Sequence, residues 1–408
     1  MIVEQRIKDF ERMGLGLFVH FGLYSVLGRG EWARHLVPMS ADEYEGLADR
    51  FCPKPDWASD LALTARSAGF RYVTLTCRHH DGFSLYDTRG LSTFDAPHAC
   101  GRDLVAEFVD ACREQGLVPF FYHTLEDWHE PSCPDDWPAY LDYLQESLRL
   151  LCTNYGRVGG FWFDGIWAHP DKDWHEDELY GLVRQLQPDA ILVNNTGLNA
   201  RGQLGNIELD SVTFERGIPQ AINLADSPKY VASEMSETFG DHWGYAAEDI
   251  DYKSPADVIR EIVTCRRHGS NMLLNVGPRG DGSLRALDAA YLGAVGQWTA
   301  VHDVLLHEPR PTAIEVAGDK DDFLLRDGDT YYLVCTHLPM SGDPNVTPTD
   351  HPELRRDFRL DGQVESIAWL DGGDPPEYVQ EGDLITVWCT PFPYGRQLVV
   401  RVAELKTR

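Results

Sequence analysis

Short apolar runs recur through the first 280 or so residues, and segments of helical periodicity separate many of them. Eight runs stand out: Gly16–Phe21, Tyr72–Cys77, Val118–Tyr122, Gly160–Phe163, Ala190–Val193, Ser211–Phe214, Tyr230–Ala232 and Met272–Val276. Most are continuous rather than alternating, as expected of parallel strands covered on both faces. Helices are predicted over Pro55–Gly69, Asp103–Gly116, Trp137–Tyr155, Glu176–Gln187, Pro255–Gly269 and Leu284–Leu306. Gly69 and Gly116 stand where a helix ends on a residue of positive φ, and Ser254 before Pro255 supplies a cap ahead of a first-turn proline. The linker Gly217–Lys229 is too short for a full helical crossover, so some irregularity is expected there. Strand and helix in alternation predict an α/β fold, a (β/α)8-type, TIM-like barrel over residues 1–307.

Past the segment HEPRPTA that follows Val304–Leu306 the pattern changes to period two. Asp322–Arg326, Thr330–Cys335, Ser366–Leu370 and Leu384–Trp388 alternate, and Asp327-Gly328, Asp371-Gly372-Gly373 and Glu381-Gly382-Asp383 punctuate them. Residues 308–408 are therefore expected to form a small antiparallel β-sandwich.

Charge narrows the choice of partner. The 408 residues carry 65 Asp and Glu against 36 Lys and Arg, a net charge of −29. Such a surface repels phosphate backbones and anionic lipids, so neither nucleic acid nor membrane is an expected partner. No secretory leader and no apolar stretch of about 20 residues is visible. The nine Cys are scattered without a CxxC pair, which points to a reduced, cytoplasmic protein without a structural zinc motif. Nothing in the composition fixes the oligomeric state, and a homo-oligomer is compatible with it.

In a barrel of this type the site lies at the C-terminal ends of the strands. Those positions hold His20, then His79-His80, Tyr122-His123, Asp164, Asn194-Asn195, Glu215-Arg216, Glu234 and Asn275. Carboxylates, imidazoles and amides in succession, with no Lys among them, suit a neutral polyhydroxylated ligand such as a sugar. Asp164 ends the very apolar Phe161-Trp162-Phe163 and is the sharpest candidate for chemistry. Glycoside hydrolysis needs a second carboxyl group, and Glu215 and Glu234 both follow predicted strands. His79 and His80 are neighbours, so both reach one cleft only where the strand ends or bulges.

The blocks GLGLFVHFG, Glu31-Trp32, RHHDGFSLYDT, FYHTLEDW, FWFDG, VNN and NMLLNVGPRGDGS, in this order, resemble the α-L-fucosidases of glycoside hydrolase family 29. The resemblance spans roughly residues 5–285; the C-terminal region matches only in type. It implies a retaining exo-α-L-fucosidase that removes terminal α-L-fucosyl units through a covalent fucosyl-enzyme intermediate and needs no cofactor. Asp164 falls on the family's nucleophile position. His20, Glu31, Trp32, His79, His80, Tyr122 and Trp162 fall on positions that hold the fucose ring. The acid/base position varies within the family: Glu215, in Thr213-Phe214-Glu215-Arg216, is preferred, with Glu234 as the alternative. Where many members carry a substrate-touching Arg after VNN, this chain has Thr196, and Arg201 or Arg216 are candidates to replace it. Two other readings compete: a metal-dependent barrel hydrolase using His20, His79, His80 and His123, and a catalytically inactive fucose-binding protein.

Overall fold

The computed structural model describes residues 2–222, 227–343, 345–347, 353–396 and 399–408. Eight parallel strands close a barrel in sequence order. They are β1 (Leu15–Val19), β2 (Tyr72–Arg78), β3 (Val118–Thr124), β4 (Gly160–Asp164), β5 (Ile191–Asn194), β6 (Ser211–Thr213), β7 (Ala232–Glu237) and β8 (Asn271–Val276). Helices at Trp57–Ser67, Leu104–Glu114, Trp137–Asn154, Glu176–Leu186, Pro255–Arg267 and Ala286–His302 fall where periodicity and caps place them. Asp103, Asp136 and Ser254 accept from the N3 backbone N–H at three of these N-termini. No helix separates β5 from β6 or β6 from β7 beyond one short 3-10 turn among the described residues. Residues 223–226 of the Gly217–Lys229 linker lie outside those described.

The hydrophobic pattern misplaces one strand. The apolar Tyr230–Ala232 leads into β7, which runs through the more polar Ala232–Glu237. That strand is buried along its whole length, and Glu234 on it finds its donors, Tyr72 and Trp162, inside the barrel rather than in water.

Strand parity fills the barrel in layers. Phe18, Tyr72, Phe120, Tyr122, Trp162, Ile191, Val193, Ala232 and Leu273 form one buried cluster. The helix Gln5–Met13, which the sequence reading did not mark, contributes Ile7 and Phe10 to it. Gly16 and Gly160 face inward, and the rings of Tyr72 and Phe120 occupy the space a Cβ would need. Large aromatics can pack this core because the glycines opposite them are small.

By contacts the chain forms two compact units: residues 1–253 with 270–293, which hold all eight barrel strands, and residues 254–269 with 294–408. The second contains a five-stranded sheet, β13-β16-β11-β10-β9, and a three-stranded sheet, β12-β15-β14, all antiparallel. These strands are β9 (Arg310–Pro311), β10 (Phe323–Asp327), β11 (Thr330–Cys335), β12 (Arg355–Arg359), β13 (Val364–Trp369), β14 (Glu377–Glu381), β15 (Leu384–Trp388) and β16 (Arg401–Thr407). Leu333 and Leu405 of one sheet share a core with Phe358, Ile385 and Val387 of the other, which makes this a sandwich. Among the described residues no helix is long and apolar enough to cross a membrane.

Candidate active site

Alternation along each strand decides which residues face the barrel axis. From Phe18, Trp162 and Val193 the inward set continues two residues on to His20, Asp164 and Asn195. All three line a cavity of about 470 Å³ at the C-terminal ends of the strands. Glu31, Trp32, His79, His80, Tyr122, Trp162 and Glu215 line it too. The register of β2 against β3 slips between Thr76 and Arg78. Beyond that irregularity both adjacent histidines reach the cavity, their ring centroids 4.4 Å apart.

Asp164 is the most heavily hydrogen-bonded of the lining groups. Its Oδ1 accepts from the Gly165 backbone N–H at 2.9 Å, the Trp167 indole at 3.1 Å and the Asn195 amide at 3.1 Å. Its Oδ2 accepts from the Tyr122 hydroxyl at 3.0 Å, with His80 Nε2 3.5 Å away. Burial by itself would raise this carboxyl. His80, Trp167 and Tyr122 outweigh burial and hold it below the usual aspartate range, so it is ionised at neutral pH.

Asn195 also reaches Glu215. The same Nδ2 donates to Glu215 Oε2 at 2.8 Å, while Asn195 Oδ1 accepts from the Gly197 N–H at 3.1 Å and so fixes the amide's orientation. One nitrogen touching both carboxyl groups limits their facing oxygens to about 5.9 Å apart, and a trigonal angle at the nitrogen gives about 5 Å. Burial, and then the charge of Asp164, push Glu215 above the ordinary glutamate range; Asn195, Arg216 and Arg201 pull the other way. The two carboxyls are thereby driven apart in pKa, one held ionised and the other held closer to protonated.

Glu234 is elsewhere. Thr213 of β6 pairs with Glu234 of β7, so Glu215, two residues past Thr213, stands one inward layer above it. Glu234 is buried beneath the cavity, is not among the residues that line it, and accepts from the Tyr72 hydroxyl and from Trp162 Nε1, the latter at 3.0 Å. Burial raises it to about 7 against those two donors.

The remaining groups shape the pocket. Asn275 Nδ2 donates to the Trp243 carbonyl at 2.7 Å, leaving its Oδ1 to accept from His20 Nδ1 at 2.7 Å. Burial lowers His20 to about 3, so the ring is neutral and presents Nε2 as an acceptor. His79 is likewise lowered by burial and by the neighbouring histidines. Glu31 accepts from the Gly244 N–H at 2.8 Å and is raised by burial. Tyr122 stacks between Trp162 and His79, and Trp32 stacks on Trp167 at 6.1 Å. Donors, acceptors and aromatic faces are thus mixed on one wall, the combination that a deoxy sugar requires.

His123 is fully buried off the cavity, where the Arg78 charge reinforces burial in lowering its pKa, so the four histidines of the metal-hydrolase reading do not share a centre. Thr196 lines the cavity and donates to the Ala200 carbonyl; Arg201 and Arg216 do not line it, and Arg216 lies over the Trp243 ring. Trp167, Leu198 and Trp243 line the cavity without having been singled out as site residues. Trp167 and Leu198 lie in single 3-10 turns after β4 and β5, too short for any periodicity to point to a site. The strand-parity rule applied past Val193 does point to Asn195.

The alpha-L-fucosidase family model matches residues 3–303. The chain belongs to the alpha-L-fucosidase family. As a member of glycoside hydrolase family 29 it is a glycoside hydrolase of α-L-fucosides. Rat tissue alpha-L-fucosidase is 26% identical over 97% of this chain and 89% of its own. The human tissue enzyme is 26% identical over 83% and 77%. Among solved structures, alpha-L-fucosidase isoenzyme 1 from Paenibacillus thiaminolyticus superposes with a TM-score of 0.83 at 29% identity, covering 99% of each chain. A family 29 fucosidase from Bacteroides thetaiotaomicron, trapped as a covalent intermediate with 2-fluoro-fucosyl fluoride, shares the fold with a TM-score of 0.80 at 22% identity, covering 99% of this chain and 96% of its own.

Proposed function

We propose that this fucosidase is exo-acting and retaining, and removes terminal α-L-fucosyl units from oligosaccharides or glycoconjugates through a fucosyl-enzyme ester on Asp164. The observation that carries this reading is the Asn195 amide shared by Asp164 and Glu215. Facing oxygens at most about 5.9 Å apart, and about 5 Å at a trigonal angle, accord with the close pair of about 5–5.5 Å that retention uses. Asp164, ionised, attacks the anomeric carbon. Glu215 gives its proton to the departing glycosidic oxygen, then takes one from the water that opens the ester. Forming the ester removes the Asp164 charge, which lowers Glu215 when it must turn from acid to base.

His20, Glu31, His79 and His80 would hold the ring hydroxyls, and the aromatic wall would take the apolar sugar face. Nine cysteines without a disulfide support a reducing, cytoplasmic setting. Proton NMR of fresh hydrolysate tests the stereochemistry: α-fucose appears first under this reading, and β-fucose first would refute it.

A further inference from the structure

Beside the cavity, but not among its lining residues, the loop after β3 and the loop after β4 bring together Glu126, Cys133 and His169. Glu126 Oε2 and His169 Nε2 are 2.6 Å apart, and Cys133 Sγ lies 3.9 Å from each of those atoms. Glu126 and His169 are joined by a short contact, whereas at 3.9 Å the thiol makes only weak hydrogen bonds to either.

We propose that Glu126, Cys133 and His169 form a binding site for one zinc-class divalent transition-metal ion. Sulfur, imidazole and carboxylate are the donor types that such ions take, and three protein ligands leave a fourth position for water. In tetrahedral zinc geometry, bond lengths of about 2.0–2.3 Å place sulfur about 3.6 Å from the other two donors and nitrogen about 3.3 Å from oxygen. The sulfur is already near those positions, and the imidazole and carboxylate need to part by well under an ångström. The glutamate and histidine side chains are 13% and 19% exposed, so an ion has a path in without being surface-bound.

Electrostatics favour a cation. Glu126 supplies a carboxylate beside the thiol, and a bound ion neutralises the negative charge gathered there. On binding, the thiol loses its proton to solvent, the S–H bond giving way to a metal–thiolate bond. The imidazole presents the Nε2 lone pair with its proton on Nδ1, any proton on Nε2 leaving to solvent, and no electron is transferred. The ion would tie the β3 loop to the β4 loop next to Gly165, whose Cα position lies against Glu126. It would thereby stiffen the segment that carries Trp167, while supplying no chemistry to the reaction.

The test is titration of the metal-free, full-length protein with Co2+ and Zn2+. One equivalent of Co2+ should produce a thiolate-to-cobalt charge-transfer band, abolished in Cys133→Ala and displaced by Zn2+. Calorimetry should show zinc affinity at least about tenfold weaker in Glu126→Gln and in His169→Ala, with circular dichroism confirming that each is folded. The second cluster of potential ligands, Asp319, Asp321 and His337, holds no sulfur and cannot give the band. Absence of the band, its persistence in Cys133→Ala, or unchanged zinc affinity in Glu126→Gln would overturn the assignment.

Discussion

Asp164 and Glu215 are joined through one nitrogen: Asn195 Nδ2 donates to Asp164 Oδ1 at 3.1 Å and to Glu215 Oε2 at 2.8 Å. The bridge sets the spacing of the two carboxyls and moderates the gap between their acidities, because it lowers Glu215. Asn195→Ala should lower kcat/KM by about 100-fold, since a misplacement of about 1 Å costs that much. It should also move the alkaline limb of the pH profile upward, because Asn195 is one of the groups that lower Glu215. Loss of rate with an unmoved limb would mean that the amide serves substrate alone.

The wild-type profile of kcat/KM should be bell-shaped. Its acid limb reports protonation of Asp164 and falls below the ordinary aspartate range. Its alkaline limb reports loss of the Glu215 proton and lies above the ordinary glutamate range. Asp164→Asn removes the neighbouring charge that raises Glu215, so carboxyl-carbon NMR of that variant should find Glu215 titrating lower than in the wild type.

Chemical rescue distinguishes the two glutamates. Glu215→Ala should lose about 100- to 10,000-fold on fucosides with poor leaving groups, regain rate with azide on activated aryl fucosides, and yield α-fucosyl azide, because azide opens the β-linked ester from the face that water uses. Glu234→Ala should show no such rescue, because Glu234 is buried one layer beneath the cavity. α-Fucosyl azide from Glu234→Ala alone would exchange their roles.

Glu234 should instead mark stability. Its folded pKa of about 7 exceeds the ordinary glutamate value, so the folded state binds this proton more tightly than the unfolded chain. The associated stability is fully present below about pH 4.3 and is lost as pH rises through about 7. Glu234→Gln keeps the shape without the charge. The melting temperature of this variant relative to wild type should therefore rise between those pH values, by the equivalent of about 3 kcal/mol. A difference independent of pH would show that Glu234 does not titrate there.

Much of the barrel was legible because its strands are apolar on both faces, and Gly69, Gly116 and Ser254 marked helix boundaries. The exceptions have physical causes. β7 escaped because it is polar yet buried, with Glu234 bonded to Tyr72 and Trp162 inside the barrel, so burial there does not require an apolar run. The helix Gln5–Met13 offers the core Ile7 and Phe10, with Met13 packed against them, amid polar residues. In the site, motif order and strand-end position located Asp164, but whether Glu215 or Glu234 faces the cavity depends on the pairing of Thr213 with Glu234. Inter-strand register of that kind is not written in either strand alone. Trp167 was hidden for a similar reason: its indole reaches Asp164 through the turn at Gly165, where φ is +93°.

The most direct measurement is to trap the intermediate. Incubation with 2-fluoro-fucosyl fluoride should inactivate the enzyme and add one 2-fluorofucosyl mass, and peptide mapping should place the ester on Asp164. Asp164→Ala should neither label nor retain more than about a thousandth of wild-type turnover on an aryl fucoside. An ester on another residue, or full hydrolytic activity in Asp164→Ala, would contradict the account.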